Sequence, residues 1–214
     1  MKTLVIPFLP NVGYRSDEKS VMDALAPLTA VTLEEAPWPQ YPDKPVVHMK
    51  AGHTGDSLVL QFSVEEKYIK AEYRNTNDPV HRDSCVECFI AFDNRHYYNL
   101  EFNCIGTAFA GYGSADKSTR RTLPKSTVER IRTYAVINPD KEKHQPVSWR
   151  LLLNIPLTVF EASGIRSLSE ISCTGNFYKC GDGLPEPHFL AWSPIAYPEP
   201  NFHRPESFGK LFFL

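Results

Sequence analysis

"DSCVECFIAFDNRHYYNLEFN", Asp83 to Asn103, reads as two strands joined by a tight turn, yet it carries Glu87 and Glu101 where a buried strand should be apolar. With Asp93-Asn94-Arg95 as the turn, Phe92 faces His96, Ile90 faces Tyr98, Cys88 faces Leu100 and Val86 faces Phe102, because opposed residues of antiparallel strands share a face. That side is almost wholly apolar and is the predicted core face. The other side pairs Ala91 with Tyr97, Phe89 with Asn99, Glu87 with Glu101 and Cys85 with Asn103. A slip of one residue would carry both glutamates into the core, so the register is strongly specified. Two carboxylates directly opposite each other repel unless something positive or hydrogen-bond donating lies between them. The hairpin therefore asks for a ligand, a cation or a basic side chain.

Three readings of the pair follow. The glutamates are neutralised by a neighbouring Arg74 or Arg150 on an ordinary surface. Alternatively they belong to a polyol site, where carboxylates and the amides of Asn99 and Asn103 bind sugar hydroxyls beside an aromatic wall. In the third they act as acid and base, since retaining glycosidases hold two carboxyl groups about 5 Å apart.

Outward from the hairpin, "SLVLQFSV" puts Leu58, Leu60, Phe62 and Val64 on one face, "YIKAEYR" puts Ile69, Ala71 and Tyr73 on one face, and "SWRLLLNIP" alternates less cleanly. Eighteen prolines and repeated short apolar runs suit strands and turns. The expectation is an all-β, antiparallel, jelly-roll-like β-sandwich with a few short helices. "SDEKSVMDALAPL", with Ser16 as its cap, and "LTVFEAS" are the helical candidates. "APWPQYPDKP" reads as a loop, and "GKLFFL" as a last strand. The 214 residues, 42% hydrophobic, are enough for one domain over 1–214, with 1–37 as a strand and helix extension packed on it.

A formal net charge of -2, with no basic run longer than the pair Arg120 and Arg121, argues against nucleic acid or an anionic membrane as partner. No run reaches the roughly 20 apolar residues of a spanning helix. Five cysteines, an odd number, suit a reduced compartment, and "MKTLVIPFLP" is a poor signal peptide, so the chain as encoded reads as cytoplasmic; secretion would need a start upstream. In "CVEC", Cys85 and Cys88 point to opposite faces of a strand and read as small packing residues rather than one chelate. His48, His53 and His144 show no ligand spacing. Nucleophile elbows, phosphate loops and dinucleotide fingerprints are absent, so nucleotide-dependent chemistry is disfavoured.

From Gly175 to Leu214 the sequence combines many aromatics with six prolines, which fix an irregular path and can hold Phe177, Tyr178, Trp192, Phe202 and His203 in a rigid layer. Trp192 and Phe208 are assigned to the core, while Phe202 and His203, between prolines, are the candidates for exposure.

The series "DSCVECFIAF", "YYNLEFNCIGT", "WRLLLNIP", "NFYKCGD" and "WSPI" followed by "PNFHRPESFGKLFF" resembles the carbohydrate-binding module family 9-like proteins, sugar-binding relatives of the DOMON β-sandwiches, from about Trp38 to the C-terminus. The resemblance implies a concave face that binds the end of a glycan, no required cofactor, in some members structural calcium, and an association with glycoside hydrolases and carbohydrate catabolism. An aromatic pair clamps the sugar in xylanase-attached modules; its positions fall near His81 and on Phe202. Glu87 matches the family's strand glutamate, and a sugar-binding arginine falls at Glu101. Stacking area is thus lost at His81 and charge is reversed at Glu101.

The leading expectation is a non-catalytic carbohydrate-binding protein with Glu87, Asn99, Glu101 and Asn103 as polar contacts. Phe202, His203 and His81 form the rim, and Tyr178 and Lys179 close the far side. The alternatives are a small glycoside hydrolase using Glu87 and Glu101, and a sandwich that has lost sugar binding and presents its aromatic rim to a protein.

Overall fold

A computed structural model describes residues 1–138 and 146–214; His144 lies outside them. The strands in chain order are β1 (Thr3–Ile6), β2 (Val31–Thr32), β3 (Val46–His53), β4 (Ser57–Glu66), β5 (Cys85–Ala91), β6 (Tyr97–Asn103), β7 (Ala108–Gly113), β8 (Arg121–Thr122), β9 (Arg132–Asn138), β10 (Val147–Pro156), β11 (Ser172–Cys180), β12 (Phe189–Ala191) and β13 (Gly209–Phe213). Two short helices, α1 (Glu18–Leu25) and α2 (Lys125–Val128), and four 3₁₀ segments, one of them over Leu157–Ser163, are the other regular elements among the described residues. The first sheet runs β1-β13-β11-β5-β6-β7-β8, with β12 also on β11; the second runs β2-β3-β4-β10-β9. The molecule is a β-sandwich. Among the described strands the pairing is antiparallel except at the edge, where β1 lies parallel to β13; just beyond β1 an isolated parallel bridge joins Phe8 to His53.

The β5–β6 hairpin has the predicted register, with Cys85 opposite Asn103, Glu87 opposite Glu101 and Ile90 opposite Tyr98. Asp93 sets its turn: Oδ1 accepts from the amides of Arg95 at 2.6 Å and His96 at 2.7 Å. The inner faces meet through Val86, Cys88, Ile90, Leu100 and Phe102 of the first sheet and Leu58, Leu60, Phe62, Val64 and Leu153 of the second. Part of the outer face of the second sheet is covered by α1, whose Val21 and Leu25 pack with Val59 and Leu152.

Two local expectations are corrected. The cap of α1 is Asp17 rather than Ser16: its carboxylate accepts from Ser20 N at 3.0 Å. "YIKAEYR" forms no strand. The amides of Glu72 and Tyr73 instead donate to the Asp83 carboxylate at 3.1 and 3.0 Å. A side chain thus replaces a neighbouring strand, which alternation alone cannot reveal.

The outer face of the first sheet is not solvated. Cys85, Phe89, Tyr97, Tyr178 and Cys180 form a second apolar layer there with Trp38, Ile195, Phe202 and Phe208. The cover is irregular chain: the proline-rich loop around Trp38, whose indole donates to Tyr197 O at 2.8 Å, and the segment from Ser193 to Phe208.

Candidate functional site

Where that cover stops short of β5, β6 and β7, a cavity of about 530 Å³ remains. Its floor is Glu87, Asn99 and Glu101; Phe109, Arg120 and Phe189 line its sides, and His81, Asp182, Phe202 and His203 stand around it. Alternation on β5 and β6 puts the two glutamates on this face, and the hairpin register sets them opposite each other.

Glu101 is nearly buried and accepts from Asn99 Nδ2 at 2.8 Å. The Asn99 oxygen accepts in turn from the Arg120 guanidinium. Arg120 also donates to the carbonyls of Gly113, Ser114 and Tyr97 and lies 4.0 Å over the Tyr97 ring. The neutral Asn99 amide therefore bridges the Arg120 guanidinium and the Glu101 carboxylate. Gly111, opposite Asn99 on β7, makes room for this: a Cβ there would sit 2.5 Å from Asn99 Oδ1. On the open side His81 Nδ1 lies 3.7 Å from Glu101 Oε2, and that carboxylate raises the imidazole above its ordinary pKa.

Glu87 has less support. Among the described residues its one donor is the Cys180 thiol, 3.2 Å from Oε1. Burial, and then the Glu101 charge, push its carboxyl well above the usual range. Neither Arg74 nor Arg150 forms an ion pair with these glutamates among the described residues, and Arg150 lies on the other sheet.

Six of the nine expected site residues line the cavity: His81, Glu87, Asn99, Glu101, Phe202 and His203. Three do not. Lys179 follows Tyr178 on one strand, so it points the opposite way, into the sandwich, where it meets Glu66 at 2.8 Å. Tyr178 lies behind the wall, its ring stacked 4.1 Å from that of Phe202 at 9°. Asn103 shares the face but is used up at the strand end, donating to Tyr73 O and Asp83 Oδ2 and accepting from Thr107 N. Phe202, expected exposed, is only 9% exposed because Tyr178 and Trp38 pack on it; His203 is half-buried, with burial driving its pKa down to about 3. Phe109, Arg120, Asp182 and Phe189 went unrecognised. Asp182 was within reach, since period two from Tyr178 runs through Cys180 to Asp182 on the cavity side.

A structural calcium ion would need six to eight oxygen donors. The one cluster of three close metal-ligating side chains among the described residues is Cys85, Glu87 and Cys180. Two of its three donors are thiols, which does not fit calcium.

With the geometry in view, a sequence model described as carbohydrate-binding family 9 matches residues 18–213. The chain belongs to carbohydrate-binding family 9. The match begins well before Trp38, where the motif resemblance started, and takes in α1. The crystal structure of a putative carbohydrate-binding protein from Bacteroides uniformis ATCC 8492 is 31% identical, with coverage of 100% of this chain and 99% of that one and a TM-score of 0.89. Two family 9 module structures from Caldicellulosiruptor kristjanssonii share the fold at TM-score 0.62. The glucose complex is 11% identical, covering 100% of this chain and 96% of that one; the cellotriose complex is 12% identical, covering 99% and 93%. No curated protein sequence matches.

Proposed function

We propose that this family 9 protein is non-catalytic and binds a glycan end in the cavity over β5, β6 and β7, as part of carbohydrate breakdown. The observation carrying this reading is the cavity itself: about 530 Å³, floored by Glu87, Asn99 and Glu101 and flanked by the half-buried rings of Phe109 and Phe189. Pockets of about 300–1,000 Å³ with few convergent polar groups suit small ligands. Carboxylates and an amide oxygen accept from sugar hydroxyls, while a ring face takes the apolar face of the sugar. The full-length likeness to the Bacteroides protein supports the ligand class, and glucose and cellotriose, bound in the two Caldicellulosiruptor structures, are the first ligands to try. The clamp at this site differs from the family resemblance: His81 offers little stacking area, and one face of Phe202 is covered by Tyr178. Phe109 and Phe189 are proposed to take over the stacking. Binding is proposed to need neither calcium nor another cofactor.

Calorimetric titration with mono- and oligosaccharides, with and without a chelator, tests this. Saturable heat that survives the chelator and is lost in Glu101→Gln and Phe109→Ala supports the reading. Absence of heat across the panel overturns it. One observation favours a second reading, glycoside hydrolysis: Glu87 and Glu101 face each other and Glu87 is held toward its protonated form, as a general acid is. Chromatographic detection of cleaved product after the titration would establish that reading instead.

A further inference from the structure

Behind the glutamate floor lie two thiols that the proposed sugar binding does not use. Cys180 on β11 is directly opposite Cys85 on β5, so both thiols emerge on the cavity face. Glu87 follows Cys85 by two residues on the same strand and face. One ligand atom from each of these three side chains lies within 4.8 Å of the others. Bond lengths of about 2.3 Å to sulfur and 2.0–2.2 Å to oxygen place the ligands of one tetrahedral ion about 3.5–4 Å apart, a spacing small side-chain rotations reach.

We propose that Cys85, Glu87 and Cys180 bind a thiophilic divalent cation of the zinc type, with the fourth coordination position open to the cavity. The site shares Glu87 with the proposed sugar floor, and it is tested with the metal ion alone, without sugar. Two sulfurs and one carboxylate select a borderline-soft tetrahedral ion over calcium or magnesium. The remaining position faces the cavity because Glu87 and Cys180 line it while Cys85 sits deeper; water or a ligand oxygen completes the tetrahedron. The cation also answers the shortage at Glu87, a carboxylate 3% exposed with one thiol as its donor. From behind, the buried Lys179 ammonium donates to Cys180 O at 2.8 Å, fixing the end of β11 that carries one of the ligands. On binding, the thiol protons leave to solvent and the two thiolates and the carboxylate bind the ion; no oxidant is involved.

The test uses tag-free full-length protein, reduced and then freed of metal with a chelator. Titration with Co²⁺ is expected to give one equivalent bound, a near-ultraviolet thiolate-to-cobalt band, and intense visible bands of tetrahedral cobalt that Zn²⁺ removes and Ca²⁺ does not. Cys85→Ser and Cys180→Ser should each weaken Co²⁺ binding at least tenfold and lose most of the thiolate band. Cys173→Ser, on the opposite face of β11, should leave both unchanged. Glu87→Gln keeps the thiolate band with weaker binding. Because a serine variant can be destabilised, each is also melted with and without Zn²⁺: wild type and Cys173→Ser should melt higher with the ion, and Cys180→Ser should not. Lack of stoichiometric binding by reduced wild-type protein overturns the site, as does a band that persists undiminished in either serine variant.

Discussion

Lys179 of the first sheet and Glu66 of the second meet at 2.8 Å between the layers, with neither side chain exposed. Trp149 Nε1 donates to the other Glu66 oxygen at 2.6 Å, and His188 Nε2 lies 2.7 Å from the ammonium. A lysine can only donate, so Nε2 accepts and Nδ1 carries the proton toward Asp43, 3.0 Å away. Removing one partner leaves the other buried and uncompensated. Lys179→Met is expected to cost about 3–5 kcal/mol in urea denaturation, and adding Glu66→Gln to recover part of that loss. A double variant no more stable than the single one would contradict the pairing.

His188 supplies a pH dependence. Burial, and then the Lys179 charge, press its pKa down to about 2 in the folded chain, against about 6.5 unfolded. The unfolded chain binds the extra proton between those values. The contribution is therefore complete above about pH 6.5 and lost as pH falls, with a limiting slope of about 1.4 kcal/mol per pH unit. Glu87, shifted upward, works in the opposite sense, so the comparison is with a variant. Urea midpoints at pH 7.5 and 5.0 should fall farther apart in wild type than in His188→Gln.

Glu101→Gln should weaken glycan affinity at least tenfold and lower the His81 pKa, since the Glu101 carboxylate is the main cause of its upward shift. An NMR titration of His81 reads the second effect without any ligand. An unmoved imidazole would show that the two side chains are uncoupled in solution.

Gly111→Ala tests the floor from beneath. The new methyl would push Asn99 away from Arg120 and Glu101. The expected result is loss of most glycan affinity for a stability cost of about 1–3 kcal/mol, read by calorimetry and urea denaturation. Full affinity in a destabilised variant would remove Asn99 from the site.

What the sequence disclosed followed from local period. Residues Cys85 to Asn103 carry their register in their own alternation, because the apolar set fits only one pairing. The same rule, applied to "FYKCGD", separates Tyr178 from Lys179, and the expectation that both would close the site overlooked it. Arg120 was illegible for another reason. It comes from an irregular turn, and its effect depends on four acceptors spread over β6, β7 and the following loop. The burial of Phe202 was equally hidden, since Trp38, which covers it, is 164 positions away in the chain. Contacts made by irregular chain leave no periodic trace.

The cavity is built from two materials. Its floor belongs to a hydrogen-bonded ladder in which any slip would expose the core, whereas much of its wall belongs to the Ser193–Phe208 segment, which lies outside the strands. A framework under strict constraint thus carries a removable facing. Randomising Pro200, Asn201 and His203 while keeping Phe202 and the floor would give a repertoire of binders on one unchanged frame, much as hypervariable loops do on an immunoglobulin domain.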